Sequence, residues 1–167
     1  LNGPINAMAF YKGCIYAGGK FTMADTVPVR YIAKWNDTTW APVGRWVSNN
    51  VRAIAVYSNY LYVGGQFGDV MRWLGKQWET VSGPAGIRID GWIKNFCVYN
   101  DELYACGEFN YIAKWDNVNW SVVGNLNNGA NVLCTYNTSL FTGGDFTAAP
   151  NQAYAYHITK YTALTNI

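Results

Sequence analysis

Apolar residues run along this chain in short blocks, and the blocks recur in a fixed order. The first block of each set is almost continuously apolar: residues 5–11, 51–57, 93–99 and 130–136. Such a run suits a strand buried on both faces. A second block follows within a few residues and closes on glycine before a phenylalanine. It ends in Gly18-Gly19-Lys-Phe21, Gly64-Gly65-Gln-Phe67, Cys106-Gly107-Glu-Phe109 and Gly143-Gly144-Asp-Phe146. Paired glycines inside a strand mark a place where another backbone or a large group comes close. A third block ends on an aromatic residue, Trp35, Trp73, Trp115 or Tyr161, and in three sets a second tryptophan stands five positions on, at Trp40, Trp78 and Trp120. The residues between each pair, 36–39, 74–77 and 116–119, are turn formers. A hairpin there sets the two tryptophans near each other across the ladder. No segment shows a 3.6-residue period or a helix start.

The phenylalanines fall at 21, 67, 109 and 146, so the units are 46, 42 and 37 residues apart. Four short strands in a repeat of about 40–50 residues describe a propeller blade, which must pack on neighbours to bury its faces. The expected fold is therefore all-β: a β-propeller of four-stranded antiparallel blades, with units at about 4–49, 50–89, 90–127 and 128–167 in one domain or propeller fragment. The first strands are expected to line the axis. The connection between second and third strands varies most, which makes 22–30 and 147–156 the expected contact loops. Four units make either a four-bladed ring or part of a larger one. The likeness of Leu1-Asn-Gly-Pro4 to the inter-unit link Leu126-Asn-Asn-Gly129 points to a further blade ahead of residue 1.

Composition narrows the function classes. The 167 residues are 17% aromatic and 50% apolar but only 13% charged, about half the usual charged share. That is apolar enough for a core and excludes disorder. No apolar run approaches the ~18 residues of a spanning helix, so no membrane insertion is expected. A net charge of +2, with no basic run, argues against nucleic acid. The stretch begins at Leu1 without a charged and then apolar leader, so a signal peptide is expected to be absent or removed.

The repeat resembles the kelch-type β-propeller family. Gly18-Gly19, Gly64-Gly65 and Gly143-Gly144 match its second-strand glycines. Trp35, Trp73, Trp115 and Tyr161 match its third-strand aromatic, and Trp40, Trp78 and Trp120 its fourth-strand tryptophan. The match spans essentially the whole chain and departs at Cys106-Gly107 and at Asn166, where a last tryptophan would stand. The fuller pattern is similar to a kelch-like variant of bacterial surface proteins and large DNA viruses. That resemblance implies an interaction or structural module with an extracellular, cell-surface or virion location. Its partners would be another protein or further copies of itself. Repeats of this kind say little about activity.

Several residues are candidates for recognition. A basic side chain precedes the third-strand aromatic in every unit, at Lys34, Arg72, Lys114 and Lys160. These could form a cationic ring for an acidic glycan or protein, or pair across strands with acids such as Glu108 and Asp145. Trp46 and Trp92 lie outside the repeated frame and stay open as recognition residues. A turn at Asp101-Glu102 would set Cys97 opposite Cys106, close enough for a disulfide. The alternative is that these two, with Cys14 and Cys134, are thiols acting as small hydrophobes. Asn36 and Asn137 sit in turns and fit the N-glycosylation pattern, whereas Asn119 fits it beside a packing tryptophan.

Enzyme readings have less support. His157 is the single histidine, so multi-histidine copper chemistry has no ligand set. No Cys-x2-Cys pair exists for zinc, no Gly-x-Ser-x-Gly elbow for a triad and no phosphate loop. No metal and no cofactor are expected. The Asn36–Trp40 and Asp116–Trp120 turns resemble sialidase Asp-boxes but lack their serine and glycine. A glycosidase would need two carboxylates in one pocket, drawn from Asp25, Asp69, Glu108 and Asp145. A carbohydrate-binding propeller, using exposed aromatic rings as platforms, is the alternative to a protein-binding one.

Overall fold

A computed structural model describes residues 1–82, 86–87, 89–149 and 155–161. The fold is all-β among these residues, and no helix is long and apolar enough to cross a membrane. The first sheet holds β1 (Ile5–Tyr11), β2 (Cys14–Gly19), β5 (Ile32–Trp35) and β6 (Trp40–Pro42) in that order. A two-stranded hairpin, β3 (Met23–Ala24) and β4 (Val27–Pro28), is inserted in its second connection. The second sheet orders β7 (Val51–Tyr57), β8 (Tyr60–Gly65), β9 (Met71–Trp73) and β10 (Trp78–Thr80) the same way, and the third does so with β11 (Ile93–Tyr99), β12 (Glu102–Gly107), β13 (Tyr111–Trp115) and β14 (Trp120–Asn125). The last has β15 (Ala130–Tyr136), β16 (Ser139–Gly144) and β17 (Ile158–Tyr161). A fourth strand around Asn166 would lie outside the described residues, as does part of the 147–156 loop.

All four sheets are antiparallel meanders, and the expected first strands have the bounds read from the sequence. The tryptophan pairs stand directly opposite one another: Trp35 with Trp40, Trp73 with Trp78 and Trp115 with Trp120, their rings 5.5, 5.0 and 5.4 Å apart. The rings are tilted by 51°, 50° and 41° and lie within the centroid range that aromatic pairs favour.

The chain divides into two compact units, Leu1–Val81 with Asp90–Ile93, and Ser82–Ile89 with Lys94–Ile167. In the first unit the second sheet packs on the first. Tyr11, Tyr16, Ile32 and Val43 from one side meet Val51, Leu61, Val63, Trp73 and Trp78 from the other. Gly44, with φ +69°, lies against the rings of Trp73 and Trp78, and a Cβ there would come within 3 Å of both. Trp78 Nε1 donates to the Val43 carbonyl at 2.7 Å, satisfying the one polar atom the buried ring carries. Tyr11 donates its hydroxyl to the Asn59 carbonyl at 3.0 Å, reaching the turn of the neighbouring sheet.

The second unit repeats this plan. Tyr99, Tyr104, Cys106 and Ile112 pack with Ala130, Leu133 and Leu140 in one buried cluster. Tyr99 donates to the Thr138 carbonyl at 2.6 Å, the counterpart of the Tyr11 bond.

The two glycines of each Gly-Gly step do different work. A Cβ on the second, at Gly19, Gly65 or Gly144, would strike the backbone of the same hairpin near Pro4, Asn50 or Gly129. These points coincide with the irregular register at the start of β1, β7 and β15. The first glycine makes room for the next sheet instead. Gly18 faces the side chains of Val51 and Ile54, and Gly64 faces Ile93. Cys106 replaces that first glycine, and the residue facing it in the series is Ala130; both are fully buried. A larger residue on one side is matched by a smaller one on the other. The departure from Gly-Gly therefore falls on the only position of the step whose space is negotiable.

Candidate functional site

The connection between β2 and β5 shapes a concavity at the end of the first sheet. The β3–β4 hairpin turns at Asp25 and Thr26, where Asp25 takes a left-handed backbone with φ 52°. Phe21, Ala24 and Val29 bury against Ala33 beneath it, which fixes the hairpin on the first sheet. Tyr31 also holds the left-handed conformation, with φ 61°, as the chain re-enters β5. Between this loop and the end of β6 lies a cleft of about 440 Å³ lined by Pro28, Val29, Arg30, Pro42, Gly44 and Arg45. Arg30 and Arg45 are exposed and have no carboxylate partner among the described residues. Trp46, next in sequence, is 72% exposed. Two unpaired guanidinium groups on apolar walls, with an indole alongside, suit a ligand carrying an acidic group and a flat or apolar body.

The basic series splits. Arg72 forms an ion pair with Glu79, its direct cross-strand neighbour, at 2.6 Å, and stacks over Tyr60 at 4.9 Å. Lys114 pairs with Glu102 at 2.9 Å. Lys34 is half-buried and Lys160 exposed, neither with a carboxylate partner among the described residues. The partners expected from sequence were Glu108 and Asp145; the structure supplies Glu79 and Glu102 instead. The cross-strand neighbour on the fourth strand, or at the start of the second, is nearer than a residue beyond the glycine step. Glu108 lies 3.8 Å from Lys94. Lys94 also donates to Asn131 Oδ1 at 2.8 Å, and Asn131 reaches Asp145 at 3.4 Å. Glu108 and Asp145 thus join one polar network with a cation inside it. Asp25, exposed at its turn, and Asp69, half-buried, both belong to the first unit, whereas Glu108 and Asp145 belong to the second.

Cys97 and Cys106 are not bridged; they and Cys14 and Cys134 are free thiols. The turn between β11 and β12 is Asn100-Asp101, with φ 50° and 57°, one residue earlier than Asp101-Glu102. That shift removes the direct opposition a bridge would use. Burial pushes the Cys106 thiol up to about 12 and raises that of Cys97, which also feels Cys134. Burial, and then its hydrogen bond to Glu102, raise Tyr104 far above an ordinary phenol. Among the described residues no three His, Cys, Asp or Glu side chains converge.

Asn36 is exposed, and its Oδ1 accepts from the backbone of Thr38 and Thr39. Asp116 does the same for Val118 and Asn119, and those bonds hold its carboxyl below the usual range. Asn137 is exposed with φ 51° in the turn after β15. Trp92 is 40% exposed. His157, at φ 63°, has Nδ1 3.0 Å from the Gly144 carbonyl. Arg30 closes the 22–30 loop expected to make contacts, although it was not singled out there, and Arg45 was missed at the level of sequence. Their signal was local: each stands where a variable loop or a sheet end meets a turn, outside the repeated frame.

The chain matches no family profile and no curated protein. Solved structures do resemble it. The computationally designed Ika4 protein aligns with a TM-score of 0.62 at 14% identity, over 97% of this chain and 92% of that one. U3-55K, a WD40-type propeller, aligns at 0.62 and 14%, over 95% of this chain and 51% of its own. The designed Ika8 protein aligns at 0.54 and 11%, over 89% and 49%. The chain spans about half the length of the last two. At these identities the likeness concerns fold alone: this is an all-β protein of propeller-like, antiparallel sheets.

Proposed function

We propose that the chain is a kelch-like β-propeller module that works by binding, as an interaction or structural element, rather than by catalysis. The carrying observation is the division of labour among its polar side chains. Arg72 and Lys114 are spent on ion pairs within the sheets, whereas Arg30 and Arg45 stand unpaired beside a cleft. The partner this favours is a protein presenting acidic groups, at a cell or virion surface as the kelch-like resemblance implies. Trp46 next to Arg45 gives a second reading specific support: an acidic glycan stacked on an exposed indole.

An array of acidic peptides and acidic glycans, probed with the 167-residue chain and with an Arg30→Glu, Arg45→Glu variant, tests both. Peptide binding that the double variant loses supports the protein-binding reading. Glycan binding that Trp46→Ala abolishes moves the function to the second. Turnover of chromogenic glycosides would overturn the non-enzymatic reading.

A further inference from the structure

Three connectors recur where one sheet packs on the next. The first is a hole over the leading glycine, filled by an aliphatic side chain from the following sheet: Gly18 by Val51, and Gly64 by Ile93. The second is the tyrosine ending each first strand, which donates to the following turn: Tyr11 to Asn59, and Tyr99 to Thr138. The third is a buried isoleucine at the start of the third strand, Ile32 and Ile112, each 1% exposed.

On the fourth sheet all three stand open. Among the described residues the site over Gly143 is met only by its own sheet's Val132 and the His157 carbonyl, at 3.3 and 3.5 Å from a Cβ position. Tyr136, counterpart of Tyr11 and Tyr99, is 68% exposed and donates to no described residue. Ile158, counterpart of Ile32 and Ile112, is 62% exposed. The first sheet carries the complementary vacancy. Ile5 holds the place of Val51 and Ile93 in the repeat, yet Ile5 is 44% exposed where those two are fully buried. Met8 is 57% exposed, whereas its counterparts Phe96 and Leu133 are 8% and 5%. Trp35 and Trp40 are only half-buried, while Trp73, Trp78, Trp115 and Trp120 are buried.

We infer that these two faces are the halves of one junction and that a second copy of this chain completes it. Ile5 of one copy seats over Gly143 of the other, and Tyr136 of the second donates to the Lys12-Gly13 turn of the first. The occupant is identified by residue type. The exposed knob is aliphatic, as at Val51 and Ile93, and the open hole is a glycine, as at Gly18 and Gly64. A head-to-tail junction of this kind occurs twice in a closed pair. Two copies would also supply the length of the larger neighbours. The inference names a partner for the interaction reading above and rests on that reading's blade frame alone.

Sedimentation velocity on the full chain, from about 1 to about 100 µM, reads the association directly. The expected result is a dimer. Ile5→Asp and Gly143→Leu should each weaken it by more than about 100-fold, because each spoils both junctions. Both positions are open in the free chain, so the far-UV and near-UV spectra should stay those of the wild type. An equimolar mixture of the two variants should form a heterodimer through its one intact junction, weaker than the wild-type pair and tighter than either variant alone, since the hole of one and the knob of the other remain intact. Trp46→Ala should stay dimeric. A wild-type monomer across the range overturns the inference. So does association that survives both substitutions, or a mixture that fails to pair. An Ile5→Cys, Gly143→Cys variant oxidised within a single chain would assign the junction to closure of the chain on itself, and also overturns it. Neither Ile5 nor Gly143 lines the arginine cleft, so retained ligand binding in a monomeric variant separates this result from the function test.

Discussion

The contact that joins the first two sheets and the one that joins the last two fill the same space differently. In the first, Gly18 yields its volume to Val51 and Ile54. In the second, Cys106 takes volume that Ala130 gives up. What is held constant is the sum across the contact, not either residue. A repeat of this kind tolerates change at such a position when its neighbour one unit on changes with it, because close-packed interiors lose energy to both gaps and overlaps.

The strongest way to break the comparison is Gly18→Val, which puts a branched side chain where Val51 already sits. Overpacking should cost about 3 kcal/mol in chemical denaturation, the upper part of the usual range. A loss below about 0.5 kcal/mol would mean that the contact is not limited by space. Trp78→Phe should cost about 2 kcal/mol, since the Val43 carbonyl loses its buried donor. Cys106→Gly should cost about 1–2 kcal/mol by opening a small cavity beside Ala130. Adding Ala130→Val should recover most of that, and a double-mutant cycle with no coupling would refute the compensation.

Thiol chemistry sharpens the same contrast without changing stability. Cys106 is buried with its thiol pushed up to about 12, so it carries no thiolate at pH 8, whereas Cys134 is exposed. Alkylation followed by peptide mass mapping should label Cys134 first and Cys106 only on unfolding. The smallest effect concerns the turns. The Asp116 carboxyl is lower in the folded chain than in the unfolded one, so its contribution is present above about pH 3.9 and fades as pH falls through the lowered value. Asp116→Asn should keep the turn, as Asn36 does in the first sheet, and flatten the acid limb of a pH-stability curve.

Much of the frame was legible because short apolar blocks in a fixed order and a repeat of about 40 residues reinforce each other. The bounds of the first strands and the facing of Trp35 with Trp40 followed from spacing alone. The third hairpin was displaced by one residue because Asn100, Asp101 and Glu102 are all plausible in a turn. Backbone preference for the left-handed region at Asn100 and Asp101 decided it, and with it the free state of Cys97 and Cys106. The ion-pair partners of Arg72 and Lys114 were invisible, since they depend on which long side chains share a sheet face. The β3–β4 hairpin was also hidden, because strands of two residues carry no periodicity. The loop at 22–30 was legible as a contact segment, but the part of the cleft that Pro42, Gly44 and Arg45 supply at the end of the first sheet was not.

The hairpin turns between first and second strands have a consequence for how the chain acquires its structure. Lys12-Gly13, Ser58-Asn59 and Asn100-Asp101 all hold a left-handed backbone at both central residues, the geometry that matches the twist of a tight hairpin. Each closes its two longest strands across a loop of minimal length, so the entropic cost of pairing them is low. Such hairpins form in about 1–10 µs. The contacts between sheets, by contrast, join residues such as Tyr11 and Asn59, 48 positions apart. Folding is thus expected to be set by the docking of ready-made hairpins rather than by their formation. A substitution at Asn100 should then register in the folding rate far less than one at Ile93, whose side chain fills the space over Gly64.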